Sequence, residues 1–359
     1  MIEKYYSGVI EQIYNRIGKE TRNIVMANYS NDFSIENLEV IRRYQSNEDN
    51  VFFAYSEFSY NTLVGAYEPF LDIICNMHRH FIGGSFDDFQ KECGVYYLHR
   101  QVLNSYYETG ECFREETVLL NEVAYEQRRM TMAIADMLKK LSEVKPLMIV
   151  INRFQMASKS SIETIKYLID NPCANIGIVL GVNAIVKGAD STVEVWDRIV
   201  ESLEDRSAIY YIGSAGPLKN NVKTTNDDEL YITMNFEQSI QEASNIMEFL
   251  DFEQARRGCR IIEHKLKFED AWIDEKSLRR FYMVYARTSV LLGEMSKAIE
   301  LTNEYKALIP ENDSEHYFSL YYFMKGTCYM YQGKLEKAEG CAKKAYDYAL
   351  LADDELLEF

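Results

Sequence analysis

The stretch Lys145-Pro146-Leu147-Met148-Ile149-Val150-Ile151-Asn152-Arg153-Phe154-Gln155 decides the fold. Five consecutive apolar residues after a proline cannot alternate between core and solvent, so they read as a strand, Leu147 to Ile151, buried on both faces. The period then changes to a helical one through Ile162, Ile165, Leu168 and Ile169. A fully buried strand that feeds a helix belongs to a parallel sheet covered by helices.

Working outward, the same pattern recurs. An amphipathic helix with Ile10, Ile13, Tyr14 and Ile17 ends near Gly18 and precedes a short strand, Arg22 to Ala27. A polar turn, Asn28 to Ser34, opens a helix through Leu38, Ile41 and Tyr44. Val51 to Tyr55 is the second strand, and a helix follows from Tyr67 to Phe81. Residues 86 to 142 read as entirely helical, broken at Gly94 and Gly110. Beyond the opening strand come Ile176 to Leu180, a helix over Val193 to Leu203, and a fifth strand, Ala208 to Ile212. Strands alternating with helices predict an α/β domain over residues 1–215. A linker at 216–235, rich in Gly, Asn, Thr and Asp, holds only a brief strand at Leu230 to Met234, and residues 236–359 read as all helix.

Bulk properties bound the function. The 359 residues exceed what one core fills, so two domains are expected. A net charge of -17 disfavours nucleic acid and anionic membrane as partners. The seven cysteines are scattered without any CxxC, which argues against a disulfide framework or zinc knuckle. No signal-like leader or 18-residue apolar run is present, so a cytoplasmic location is expected.

The helical region repeats itself. Leu292-Gly293-Glu294-Met295-Ser296-Lys297-Ala298 and Gln332-Gly333-Lys334-Leu335-Glu336-Lys337-Ala338 share a G-x-x-x-x-A core 40 residues apart. Tyr282 and Ala286 match Tyr322 and Gly326 upstream, and Pro310 closes the first copy. A weaker third copy runs through Ala243 and Ala255, with Leu250 in place of the turn glycine. The pattern resembles the tetratricopeptide repeat, which implies a solenoid with a concave binding face. Its natural partner-binding residues are Tyr282, Tyr285, Tyr322 and Tyr329, with packing between helices as the competing role for each.

The order of elements over residues 20–215, with Asn152-Arg153-Phe154-Gln155-Met156-Ala157 after its strand and Ala66-Tyr67-Glu68-Pro69-Phe70-Leu71 after an earlier one, resembles the STAND-class P-loop ATPases, among them the large LuxR-family regulators. Gln155 and Ala157 match the family pattern, but its two acids and a later Asp are missing. The resemblance places the phosphate loop after the first strand. There a G-x-x-x-x-G-K-[ST] motif is required, because glycines let backbone N–H groups converge on phosphate while Lys and the hydroxyl serve charge and magnesium. This chain has Asn28-Tyr29-Ser30-Asn31-Asp32-Phe33-Ser34-Ile35, with neither glycine and no lysine. Asp32 adds like charge and Phe33 adds bulk. Any residual nucleotide site would use Asn28, Asn31, Ser34, Asn152, Arg153 and Asn183, whereas pairing with a nearby carboxylate is the competing role for Arg153. His78 and His80, two apart on a helix, make a poor metal pair.

The expectation is a P-loop-NTPase-like parallel sheet followed by a tetratricopeptide-like helical array, without enzymatic activity, bound cofactor or metal. Function is expected to be a signal-transduction or transcription-regulating module that takes a protein or peptide partner, or a small-molecule effector. The alternative is an ATP- or ADP-binding switch with an atypical phosphate loop. A divergent ATPase using unrelated residues is the third reading. The chain ends at Glu358-Phe359 without an obvious polar capping helix, so it reads as a fragment of a longer protein or an array completed by a partner, and any output domain would have to lie beyond Phe359.

Overall fold

A computed structural model describes residues 2–30, 38–45, 50–59, 63–114, 118–183, 186–187, 192–213, 223–224, 235–268, 273–312 and 314–352. It divides into two units, one of residues 1–110 and 127–231, the other of 111–126 and 232–359.

The first unit is built on a five-stranded parallel sheet in the order β2-β3-β4-β1-β6. Its strands are β1 (Ile24–Tyr29), β2 (Phe52–Glu57), β3 (Leu147–Asn152), β4 (Ile176–Asn183) and, after the short β5 (Val186–Lys187), β6 (Ile209–Ile212). β5 pairs with β7 (Lys223–Thr224) in a separate parallel ribbon. Every residue of β3 and β4 is buried, while the edge strand β2 is half-buried throughout. That is why the central strands read as unbroken apolar runs.

Two glycines let a helix lie on the sheet. A β-carbon at Gly177 would stand 2.8 Å from Ile17 Cδ1, and one at Gly181 would stand 2.8 Å from Asn152 Oδ1 and within contact of the Tyr6 hydroxyl. Residues four apart on a strand share a face. Both glycines therefore face α1 (Ile2–Arg16), whose Tyr6, Val9, Ile10 and Ile13 share a core with Val25, Ala27, Tyr29, Val150 and Val179.

The other helices of this unit are α2 (Glu39–Gln45), α3 (Phe70–Met77), α4 (Phe86–Glu92), α5 (Tyr97–Thr109), α6 (Val123–Val144), α7 (Lys159–Asp170) and α8 (Val193–Asp205). The helix expected over Tyr67 to Phe81 starts three residues later and finishes as a π-helical turn, His78–Ile82. Gly94 and Gly110 do break the next helices, each at positive φ. Of residues 111–122, expected to be helical, none of those described is in a helix. They belong to the second unit, and the division falls inside α6.

The second unit is helical: α9 (Phe236–Glu248), α10 (Phe252–Phe268), α11 (Glu275–Leu291), α12 (Met295–Ala307), α13 (Glu315–Tyr331) and α14 (Leu335–Ala352). They form three hairpins with one kind of turn. At its centre sits Leu250, Gly293 or Gly333, with φ of 68°, 79° and 71°. The next amide reaches back five residues: Asp251 N to Ile246 O at 3.1 Å, Glu294 N to Ser289 O at 2.8 Å, and Lys334 N to Tyr329 O at 2.9 Å. This is a helix end closed by a left-handed residue, and it satisfies carbonyls that would otherwise be orphaned. Within the last hairpin Gly326 brings the helices together, since a β-carbon there would lie 3.2 Å from that of Cys341.

The described residues between α5 and α6, 111–114 and 118–122, lie against these helices as a strap. Cys112 N donates to Asn245 Oδ1 at 2.9 Å, Arg114 Nη2 to Glu248 O at 2.9 Å, and Leu120 N to the Tyr331 hydroxyl at 2.9 Å. The expected linker 216–235 lies outside the described residues except for Lys223–Thr224 and Asn235, and so does the brief strand expected at 230–234.

Candidate functional site

The strand order marks where a site belongs. The chain leaves β1 for the far edge at β2, returns through β3 to β4, then passes β1 to reach the opposite edge at β6. Connections from the neighbours β1 and β4 thus run to opposite sides, and in such sheets ligands bind outside the carboxyl ends of the strands at that switch point. The residues there are Tyr29, Glu57, Asn152 and Asn183, each the last of its strand.

Asn152 stands where the family pattern calls for an acid, and it is fully buried. Its Oδ1 accepts a hydrogen bond from the Tyr29 hydroxyl at 2.5 Å. Tyr6 reaches the same point from α1 over Gly181, and its ring meets that of Tyr29 edge-on at 6.3 Å. Burial first, then Tyr29, Tyr55 and Glu57, pushes the Tyr6 hydroxyl well above its ordinary pKa. The phenol stays protonated, so a neutral hydroxyl lies beside the Tyr29–Asn152 hydrogen bond.

The charges beside it are matched. Arg153, left-handed at φ 55°, turns back so that its Nη1 meets Glu57 Oε1 at 2.9 Å and donates to Phe58 O at 3.3 Å. Tyr55 donates a hydrogen bond to the other Glu57 oxygen. Both ion-pair side chains are mostly covered, at 18% and 15% exposure. Arg153 is thus observed beside a carboxylate, the arrangement weighed against anion binding for it.

The remaining sequence-derived candidates separate. Asn28, expected in the phosphate loop, is a buried residue inside β1, paired across to Val182 and Tyr211. β1 lies two residues later than the sequence pattern implied because strands on both sides continue to pair with its backbone through Asn28 and Tyr29. Asn183, expected after the fourth strand, is its last residue, and its amide donates to Gln155 Oε1 at 3.3 Å. Gln155 is buried, and its Nε2 has no partner among the described residues. Asn31 and Ser34 lie outside the described residues. Tyr6, Tyr29, Tyr55 and Glu57 escaped the sequence reading. Tyr6 alone left a trace, since it continues the apolar face of Val9, Ile10 and Ile13.

Among the described residues no group of three or more His, Cys, Asp or Glu could hold a metal ion. His78 is buried, its Nδ1 3.1 Å from the Tyr107 hydroxyl and its ring between Phe86 and Phe89. No described helix is long and apolar enough to cross a membrane.

Of the four tyrosines expected to bind a partner, Tyr285 is corrected to a core side chain, buried against Phe281. Tyr282 and Tyr322 are half-buried, the latter stacked on Tyr348 at 5.7 Å. Tyr329 is half-buried beneath Lys334 and Lys337.

Set against protein-family models and curated protein sequences, the chain matches none.

Proposed function

We propose that the chain is a non-catalytic regulatory module, in which a sheet unit of P-loop-NTPase type has lost phosphate chemistry and a tetratricopeptide-like helical unit does the binding. One observation carries the reading. Among the described residues at the carboxyl end of the sheet, Tyr29 engages Asn152 beside the Tyr6 hydroxyl, and Glu57 neutralises Arg153. Phosphoryl transfer depends on a cation and metal-holding oxygens aimed at the phosphates. Asn152 is a neutral amide engaged by Tyr29, and Arg153 beside it is already paired with Glu57.

The resemblance of residues 20–215 to STAND-class ATPases supports a signalling or transcription-regulating role. The shared turn of the three hairpins supports a repeat array whose surface takes a protein or peptide. Calorimetric titration with ATP and ADP, with and without magnesium, tests the reading. No heat of binding is expected at micromolar nucleotide. Micromolar affinity without turnover would replace the proposal with a nucleotide-binding switch, and magnesium-dependent hydrolysis would overturn it.

A further inference from the structure

The helical unit contains a pocket of about 400 Å³, within the roughly 300–1,000 Å³ usual for small-molecule sites. Its walls are Val290 of α11, Phe323 and Met330 of α13, and Leu119 of the strap. Phe323 and Met330 lie seven residues apart, two turns along one helix face. The space exists because the α14 wall is built from Ala338 and Ala342, and because Gly326 lets α13 and α14 close beneath it.

The polar groups around this pocket are already engaged. Arg287 pairs with Glu248 at 3.0 Å, and Glu339 pairs with Lys343 at 2.7 Å. The Thr327 hydroxyl donates to Phe323 O at 2.9 Å, and the Tyr331 hydroxyl accepts from Leu120 N. A water needs two to four polar partners to settle in a cavity, which this lining is poorly placed to offer. At the mouth Leu119, Phe323 and Met330 are 46%, 40% and 44% exposed, large apolar side chains held open to solvent. Methionine adapts its shape to an apolar guest.

We propose that this pocket binds an uncharged, largely hydrocarbon small molecule; the proposal deepens the reading of the helical unit as the binding unit. A ligand carrying a charge would be desolvated against these apolar walls, beside an Arg287 and a Glu339 that already have ion-pair partners. A hydrocarbon ligand instead covers the three exposed side chains and leaves every polar pairing intact. Because Leu119 is one wall, an occupied pocket also holds down the strap.

The test uses the full chain and the neutral fluorescent probe N-phenyl-1-naphthylamine. Saturable binding at one site is expected, with the blue-shifted emission of an apolar environment and displacement by 1-decanol. Ala342→Leu fills the pocket and is expected to weaken the probe by roughly tenfold or more. Leu351→Ser, at an exposed apolar position of α14 away from the pocket, is expected to leave affinity unchanged. Circular dichroism and the melting temperature establish that each variant folds, and Ala338→Val fills the same space if Ala342→Leu does not fold. Non-saturable binding, equal affinity in a folded pocket-filling variant, or loss in Leu351→Ser alone would overturn the proposal. Micromolar ATP binding would overturn the reading of the sheet unit and leave this one standing.

Discussion

Asn152 concentrates the residue-scale physics. Its amide lies in a fully buried strand, where an unpaired polar group costs about 1–3 kcal/mol, and Tyr29 from β1 supplies a donor. The bond spans 123 positions of sequence, so the tip residue was legible and its partner was not. Gly181 leaves open the space that a β-carbon would take from the Tyr6 hydroxyl and Asn152. Gly181→Ala is expected to cost about 1–3 kcal/mol through overpacking, read as a lower urea midpoint at unchanged slope. His78 carries a pH dependence. Burial first, and Arg79 second, hold its pKa below the ordinary value of about 6.5. The folded protein therefore keeps the ring neutral while the unfolded chain takes up a proton first. Stability is expected to be level above about pH 6.5 and to fall as pH drops from there toward the lowered folded value. His78→Phe, compared by urea unfolding at pH 7.5 and 5.5, is expected to lose that part of the fall.

Elements are where sequence pattern served best and where its limits are clearest. The three hairpin turns were legible because a left-handed residue is needed after each first helix, and glycine stands there twice. Leu250 shows that the same turn forms where leucine occupies the position, with burial of its side chain set against the backbone penalty. Gly333 isolates that penalty, since a β-carbon there would meet nothing within 4 Å. Gly333→Ala is expected to cost about 1–2 kcal/mol, measured as a drop in thermal midpoint of the helical unit, from backbone strain alone. Strand ends were less legible. β1 runs to Tyr29 rather than stopping at Ala27, because its two neighbours continue to offer hydrogen-bonding groups. Periodicity detects where side chains are buried and carries no information about how far a neighbouring strand reaches.

At the scale of the molecule, the strap is the feature that local pattern misread. Residues 111–126 follow α5 in sequence and are organised by α9 and α13. Arg114 anchors them with a side chain only 2% exposed, and burial lowers its pKa while Glu248, 3.7 Å away, opposes the shift. Arg287 also reaches Glu248, so the carboxylate sits between two guanidinium groups. Arg114→Ala is expected to cost about 3 kcal/mol, the low end for breaking a buried pair because Arg287 still engages Glu248. Limited proteolysis checks it. New cleavage between residues 111 and 122 is expected in the variant before any cut inside the helical hairpins.

The sequence by itself determined the alternation of buried strands with amphipathic helices, the absence of a glycine-rich phosphate-loop motif, and the repeated helix–turn–helix spacing. These are local properties, written in the order of apolar, polar and glycine residues. Only the tertiary structure decided the strand order, the closing of Tyr6 and Tyr29 over Asn152, the pairing of Arg153 with Glu57, and the passage of the strap into the helical unit. Each of those joins groups far apart in the chain, and the choice among partners is made by geometry and desolvation at the point of contact, which no run of neighbouring residues records.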